Sequence, residues 1–166
     1  ELCKIVRADI DNFTKGAEQS DDITMLCVKR NSDNRQAELT VVPEKDSIET
    51  VVDFLTGTLE QWGIPMKLAN KVQIAVDEIY SNIVYYSGAK SATVTVCDDG
   101  ERLTVCFTDD GKPYDPTTAK EPDITLSAEE REIGGLGIFM VKKMAAEISY
   151  RYEGGKNLLN VGFEKS

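Results

Sequence analysis

The chain has 166 residues, 41% hydrophobic and 29% charged, the composition of one globular domain of ordinary size with room for a small appendage. A formal charge of −10 argues against a general nucleic-acid surface, and the absence of histidine excludes imidazole catalysis and a histidine-ligated zinc site. No apolar run approaches the length of a membrane span, so the expected partners are proteins and Mg-bound anions, with no membrane and no nucleic acid.

Cys3, Cys27, Cys97 and Cys106 show no CxxC spacing and nothing resembles a secretory leader, which predicts reduced thiols in a cytoplasmic protein. The chain opens at Glu1, without methionine and directly into structured-looking sequence, and is expected to be cut from something longer. Phe13 to Asp22 reads as a polar loop ending in two carboxylates, and Ile23 to Lys29 as a buried strand. Residues Arg30 to Gln36 carry no apolar side chain and cannot add to a core. They read as a linker, which divides the chain into residues 1–30, a linker at 31–36 and a domain at 37–166.

From Ala37 a strand runs to Pro43. Asp46 or Ser47 can cap a helix whose apolar positions Ile48, Val51, Val52, Leu55, Leu59 and Trp62 share a face, with Gly63 at its end. A second helix spans Lys71 to Tyr86 and stops near Gly88. Its stripe Val72, Ala75, Val76, Ile79 and Ile83 faces a core, and Glu78 and Asn82 stack about a turn apart on one flank. A carboxylate and a carboxamide so placed can address one metal ion or one water; solvated polar residues are the plain alternative. Ala92, Val94 and Val96 alternate, turn at Asp98-Asp99-Gly100, and alternate again at Leu103, Val105 and Phe107 as a hairpin. The stretch from Asp109 to Ile133, rich in Gly, Pro and Asp at first, is long for a compact domain and predicts a mobile lid. Gly134 to Gly137 opens a helix, and a second hairpin turns at residues 153–157. With no βαβ repeat, this order predicts an α+β two-layer sandwich: a mixed, mostly antiparallel sheet with helices on one face.

Three features carry chemistry. Glu78 and Asn82 form the first. Asp109 leaves a strand beside Gly111, where the backbone can come close to a ligand, and Pro113 follows. Gly134, Gly135, Leu136 and Gly137 lead into a helix whose N-terminus offers unpaired N–H groups to a phosphate. Taken alone, the second passes as a turn and the third as a flexible join.

In order and spacing, Glu78 with Asn82, then Asp109-x-Gly111-x-Pro113 followed by Tyr114-Asp115-Pro116, then GGLGIFMVKKM, resemble the N, G1 and G2 boxes of the GHKL ATPase superfamily. Within it the chain most resembles bacterial anti-sigma-factor serine kinases, over Ala37 to Phe163. The resemblance implies a Bergerat-type ATP-binding fold with ATP and Mg²⁺ as cofactors. It makes Glu78 the general base and Asn82 the Mg²⁺ ligand, and sets Asp109 on the adenine amino group with Gly111 beside the base and Pro113 in the same motif. Gly135 and Gly137, in the loop with Gly134 and Leu136, would hold phosphates. Many members carry a histidine where this chain has Tyr86. GAEQSDDITMLCVKR, in turn, resembles the last loop and strand of metal-dependent serine phosphatases that regulate sigma factors. By that resemblance Asp21, ahead of Asp22, is one ligand of an incomplete metal site, and this fragment is expected to lack phosphatase activity.

The implied function is a partner-switching protein serine kinase that phosphorylates an anti-sigma antagonist, at the C-terminal end of a longer phosphatase-kinase protein. The alternative is a non-catalytic, nucleotide-dependent switch that binds a sigma factor or regulates the attached phosphatase. An interaction domain with coincidental motifs is a third reading and predicts no ATP binding. The resemblance also implies a homodimer, and the helix from Ile48 to Trp62 offers an apolar face for one.

Overall fold

The computed structural model describes residues 8–10, 12–13, 34–118 and 136–165. The chain divides into two compact units, Glu1–Asn31 and Ser32–Ser166. In the first, residues 8–10 and 12–13 are helical. The strand expected at Ile23 to Lys29 and the loop carrying Asp21 lie outside the described residues, as do Gly134, Gly135 and the lid from residue 119 onward.

The second unit runs β1 (Arg35–Val41), α1 (Ser47–Gln61), α2 (Met66–Asn82), a π turn (Ile83–Ser87), β2 (Ala92–Asp98), β3 (Arg102–Asp109), a 3-10 turn (Pro116–Thr118), α3 (Leu136–Met144), β4 (Glu147–Glu153) and β5 (Lys156–Glu164). The strands form one sheet in the order β1-β2-β3-β5-β4. Every pairing is antiparallel, so the sheet expected to be mixed is fully antiparallel among the described residues. The topology explains this. β3 and β4 run the same way, joined through α3, but β5 folds back between them and separates the two strands that would otherwise pair in parallel.

Strict alternation in β2 and β3 buries one face of the sheet. Val94, Val96, Leu103, Val105, Phe107, Val161 and Phe163 form it. Against that face pack Val51, Leu55 and Leu59 of α1, Val72, Val76 and Ile79 of α2, and Ile138 and Val141 of α3, in a single apolar cluster. Each such side chain contributes about 1.5–3 kcal/mol through burial, which is what holds short helices that are marginal alone.

Elements begin and end for local reasons. β1 starts at Arg35, two residues before the apolar pattern, because the Arg35 guanidinium bonds Asp98 on the neighbouring strand and the Trp62 carbonyl at 3.0 Å. Asp46 precedes α1 but makes no side-chain cap bond. Ser47 is buried instead, donating to the Glu44 carbonyl at 2.6 Å and pairing with the Tyr80 hydroxyl at 2.7 Å. That bond pins α1 to α2, and burial pushes the Tyr80 phenol up. Gly63 and Gly88 both adopt φ of 66°, a left-handed conformation that glycine enters without strain, and end the two helices as expected. No helix among the described residues is long and apolar enough to cross a membrane.

Candidate functional site

The helix predicted to run through Tyr86 changes character directly after Asn82. Residues Ile83–Ser87 form a π turn, in which the Ser87 hydroxyl donates to the Ile83 carbonyl at 2.7 Å. Such single turns recur at functional sites because they re-aim the residues around them. Here the turn becomes a joint. The Ser87 carbonyl accepts the Lys112 N–H at 2.9 Å, and a Cβ on Gly111 would lie 2.7 Å from both Ser87 Cβ and Ser87 O. The helix carrying Asn82 is thereby seated on the loop leaving β3, and only glycine fits at 111. Tyr86, at 74% exposure, projects from this turn.

Asp109 is the last residue of β3 and is only 5% exposed. Its Oδ1 accepts the Gly111 N–H at 2.9 Å and an amide hydrogen of Asn157 at 3.0 Å. Asn157 sits directly across the β3–β5 ladder from Asp109 and is itself buried. Its Nδ2 also reaches the carbonyls of Gly111 at 3.4 Å and Lys112 at 3.1 Å, while its Oδ1 accepts the Tyr150 hydroxyl at 2.7 Å and the Tyr114 N–H at 3.2 Å. The next carboxylate, Asp110, points elsewhere. It accepts the N–H groups of Ser91 and Lys90 at 2.9 and 2.7 Å, which hold its carboxyl below the usual range, and so closes the loop onto the start of β2.

The first part of the stretch expected to be a mobile lid is therefore built from specific bonds. Asp115 accepts both the N–H and the hydroxyl of Thr117, and Lys142 of α3 donates to the Thr117 carbonyl at 2.7 Å. Pro113 lies exposed within this loop. On the other side of the site, Glu78 meets the first turn of α3. A Cβ at Gly137 would overlap the Glu78 carboxylate, so the helix backbone and the carboxylate share one narrow space. Leu136 opens α3 and is exposed.

The structure thus joins Glu78 to Gly137, and Asp109 to Gly111, with the Ser87 turn linking Asn82's helix to the second group. Asn157 was not among the residues singled out from sequence. It stood at the edge of a glycine-rich turn, and only its register opposite Asp109 reveals it. These features fit a nucleotide with its metal: close-packed backbone at two glycines, a half-buried carboxamide and a buried carboxylate. Among the described residues no group of three or more acidic or thiol ligands could hold a metal ion.

Among the described residues, a five-stranded antiparallel sheet covered by helices, with a π turn joined to an aspartate-glycine loop and Glu78 set against the first turn of α3, has the architecture of a GHKL-like ATPase domain. The chain belongs to the histidine kinase-like ATPase domain family, whose model matches residues 41–163. It is similar to the serine-protein kinase RsbW of Listeria monocytogenes, at 26% identity over 113 residues covering 63% of this chain and 72% of that protein. The serine/threonine-protein kinase BtrW of Bordetella bronchiseptica is 24% identical over 106 residues, covering 61% and 73%. Among solved structures, that of the RsbU and RsbW domains of Rv1364c from Mycobacterium tuberculosis superposes with a TM-score of 0.58 at 15% identity, a likeness of fold. It covers 78% of this chain, which spans about a third, 32%, of that structure.

Proposed function

We propose that this domain binds MgATP and phosphorylates a serine of an anti-sigma antagonist protein in a bacterial partner-switching system. The observation that carries the reading is that Glu78 lies against Gly137 in the first turn of α3, which sets the candidate base beside the glycine expected to meet phosphate. ATP would supply the transferable phosphoryl group, and Mg²⁺ would offset its charge. Asn82 would hold the metal by its side-chain oxygen, Asp109 would take the base with Gly111 beside it, and Gly137, with Gly134, Gly135 and Leu136, would address the phosphates. Glu78 would orient the serine hydroxyl and accept its proton as the serine oxygen bonds to the γ-phosphorus, the bond to the bridging oxygen breaks and ADP leaves. The names of the Listeria and Bordetella relatives support a kinase of this class. In the same proposal residues 1–30 are the end of a serine phosphatase domain, with Asp21 a remnant ligand, and the domain acts next to that phosphatase as a homodimer. Labelled ATP and a cognate antagonist should yield phosphoserine, and Glu78→Ala should cut transfer by about 10²–10⁴-fold while ATP still binds. No transfer to any antagonist would count against the kinase.

Tyr86 favours a second reading. It stands exposed where many members of the superfamily carry histidine, which suits a nucleotide-dependent switch that binds a sigma factor or regulates the phosphatase without turnover. Partner binding that changes with nucleotide, in the absence of phosphoserine, would select it.

A further inference from the structure

Asn157 is 6% exposed, and every hydrogen-bonding atom of its side chain is engaged. Two amide hydrogens are shared among Asp109 Oδ1, Gly111 O and Lys112 O, and the carbonyl oxygen takes Tyr150 O–H and Tyr114 N–H. The pattern fixes the orientation of the amide, because turning it over would set its oxygen against three acceptors and its nitrogen against two donors. One side chain therefore ties β3, β4, β5 and the loop from Gly111 to Tyr114 around a single carboxylate. Burying a fully connected polar group is costly unless every partner is met, so this arrangement constrains Asp109 strongly.

The consequence falls on the two oxygens of Asp109. Oδ1 is occupied by the Gly111 N–H and by Asn157, whereas Oδ2 has no hydrogen-bond partner among the described residues. A carboxylate held by one oxygen offers the other as a directed acceptor. We propose that Asn157 is a positioning residue for base selection: it locks Asp109 so that one carboxylate oxygen is presented to the exocyclic amino group of an adenine, favouring an amino-bearing purine over an oxo-bearing one. The inference rests on the reading of Asp109 as the base-binding residue. It assigns Tyr150 a supporting part, because the Tyr150 hydroxyl holds the far end of the amide.

The test compares MgATP with magnesium inosine triphosphate, which carries an oxo group in place of the amino group, by calorimetric titration of the full chain. The native protein should prefer ATP by about tenfold or more, the worth of one hydrogen bond to a charged acceptor. Asn157→Ala should weaken ATP binding about tenfold and change inosine triphosphate binding by less than about threefold, so that the preference collapses. Tyr150→Phe should reduce the preference in the same direction by about threefold, because Tyr114 still holds the amide. An equal loss for both nucleotides in Asn157→Ala, or a preference undiminished in both variants, would overturn the role. If Asn157→Ala melts too low to titrate, Tyr150→Phe decides alone, and an unchanged preference there overturns it. Failure of the native protein to bind either nucleotide would instead remove the ATP-site reading and this inference with it, whereas ATP binding with a preference that survives both substitutions removes this inference alone.

Discussion

Two buried aspartates sit at opposite ends of the β2–β3 hairpin, and the difference between them separates scaffold from site. Asp98, 2% exposed, ends β2 among cations. Lys165 bonds both of its oxygens at 2.8 and 2.9 Å, the Arg35 guanidinium bonds Oδ2, and the Gly100 N–H donates at 2.9 Å. Arg35 in turn lies over the Trp62 ring at 5.1 Å. Asp109, 5% exposed, ends β3 among neutral donors that engage only one oxygen. A carboxylate matched by two cations has its charge spent inside the fold. One held by amides through a single oxygen leaves the other as an acceptor for a ligand, and this end is also joined to the π turn through Gly111 and Lys112.

The sharpest way to break the contrast lies beside Glu78. Gly137→Ala should displace the flexible Glu78 side chain rather than the fold, so phosphoryl transfer should fall by about 10²-fold with little change in melting temperature. Transfer at the native rate in a folded Gly137→Ala protein would mean that Glu78 does not act from this position. The smaller effect belongs to the other end. Burial pushes the Asp98 carboxyl up, but Lys165, the Gly100 N–H and Arg35 outweigh it and hold the group below its ordinary value of 3.8. Its contribution to stability is therefore complete above that value and is lost as pH falls through the lower folded value. Asp98→Asn should cost about 2 kcal/mol near neutral pH, less than a fully buried pair because Arg35 and Lys165 reach solvent. It should also flatten the loss of stability on acidification, measured by denaturant titrations from pH 7 down to pH 3. An unchanged acid slope would show that Asp98 is not the group responsible.

Much of this arrangement was legible in the sequence, for identifiable reasons. The helix Ser47–Gln61 and both hairpins announced themselves through regular apolar spacing and glycines at turns, which are local signals. Glu78, Asn82, Asp109 and Gly111 were singled out by residue type and spacing, and the structure sets Glu78 against Gly137 and Asp109 against Gly111. What escaped depended on partners distant in sequence. The strand begins at Arg35 rather than Ala37 because of a bond to Asp98, 63 positions away. Among the described residues the sheet has no parallel pair because β5 inserts between β3 and β4, an outcome of topology. Asn157 acquires its role only through its register against Asp109, and Ser87 through a π turn that periodicity reads as continuous helix.

The central claim is that nucleotide is held at the Asp109 end and not merely by a stable domain. Calorimetric titration of MgATP into the native protein, Asp109→Asn and Asp98→Asn tests it most directly. The account predicts micromolar binding, about −8 kcal/mol, weakened by about 10–100-fold in Asp109→Asn and unchanged in folded Asp98→Asn. Equal affinity in all three proteins, or no binding by the native protein, would contradict it.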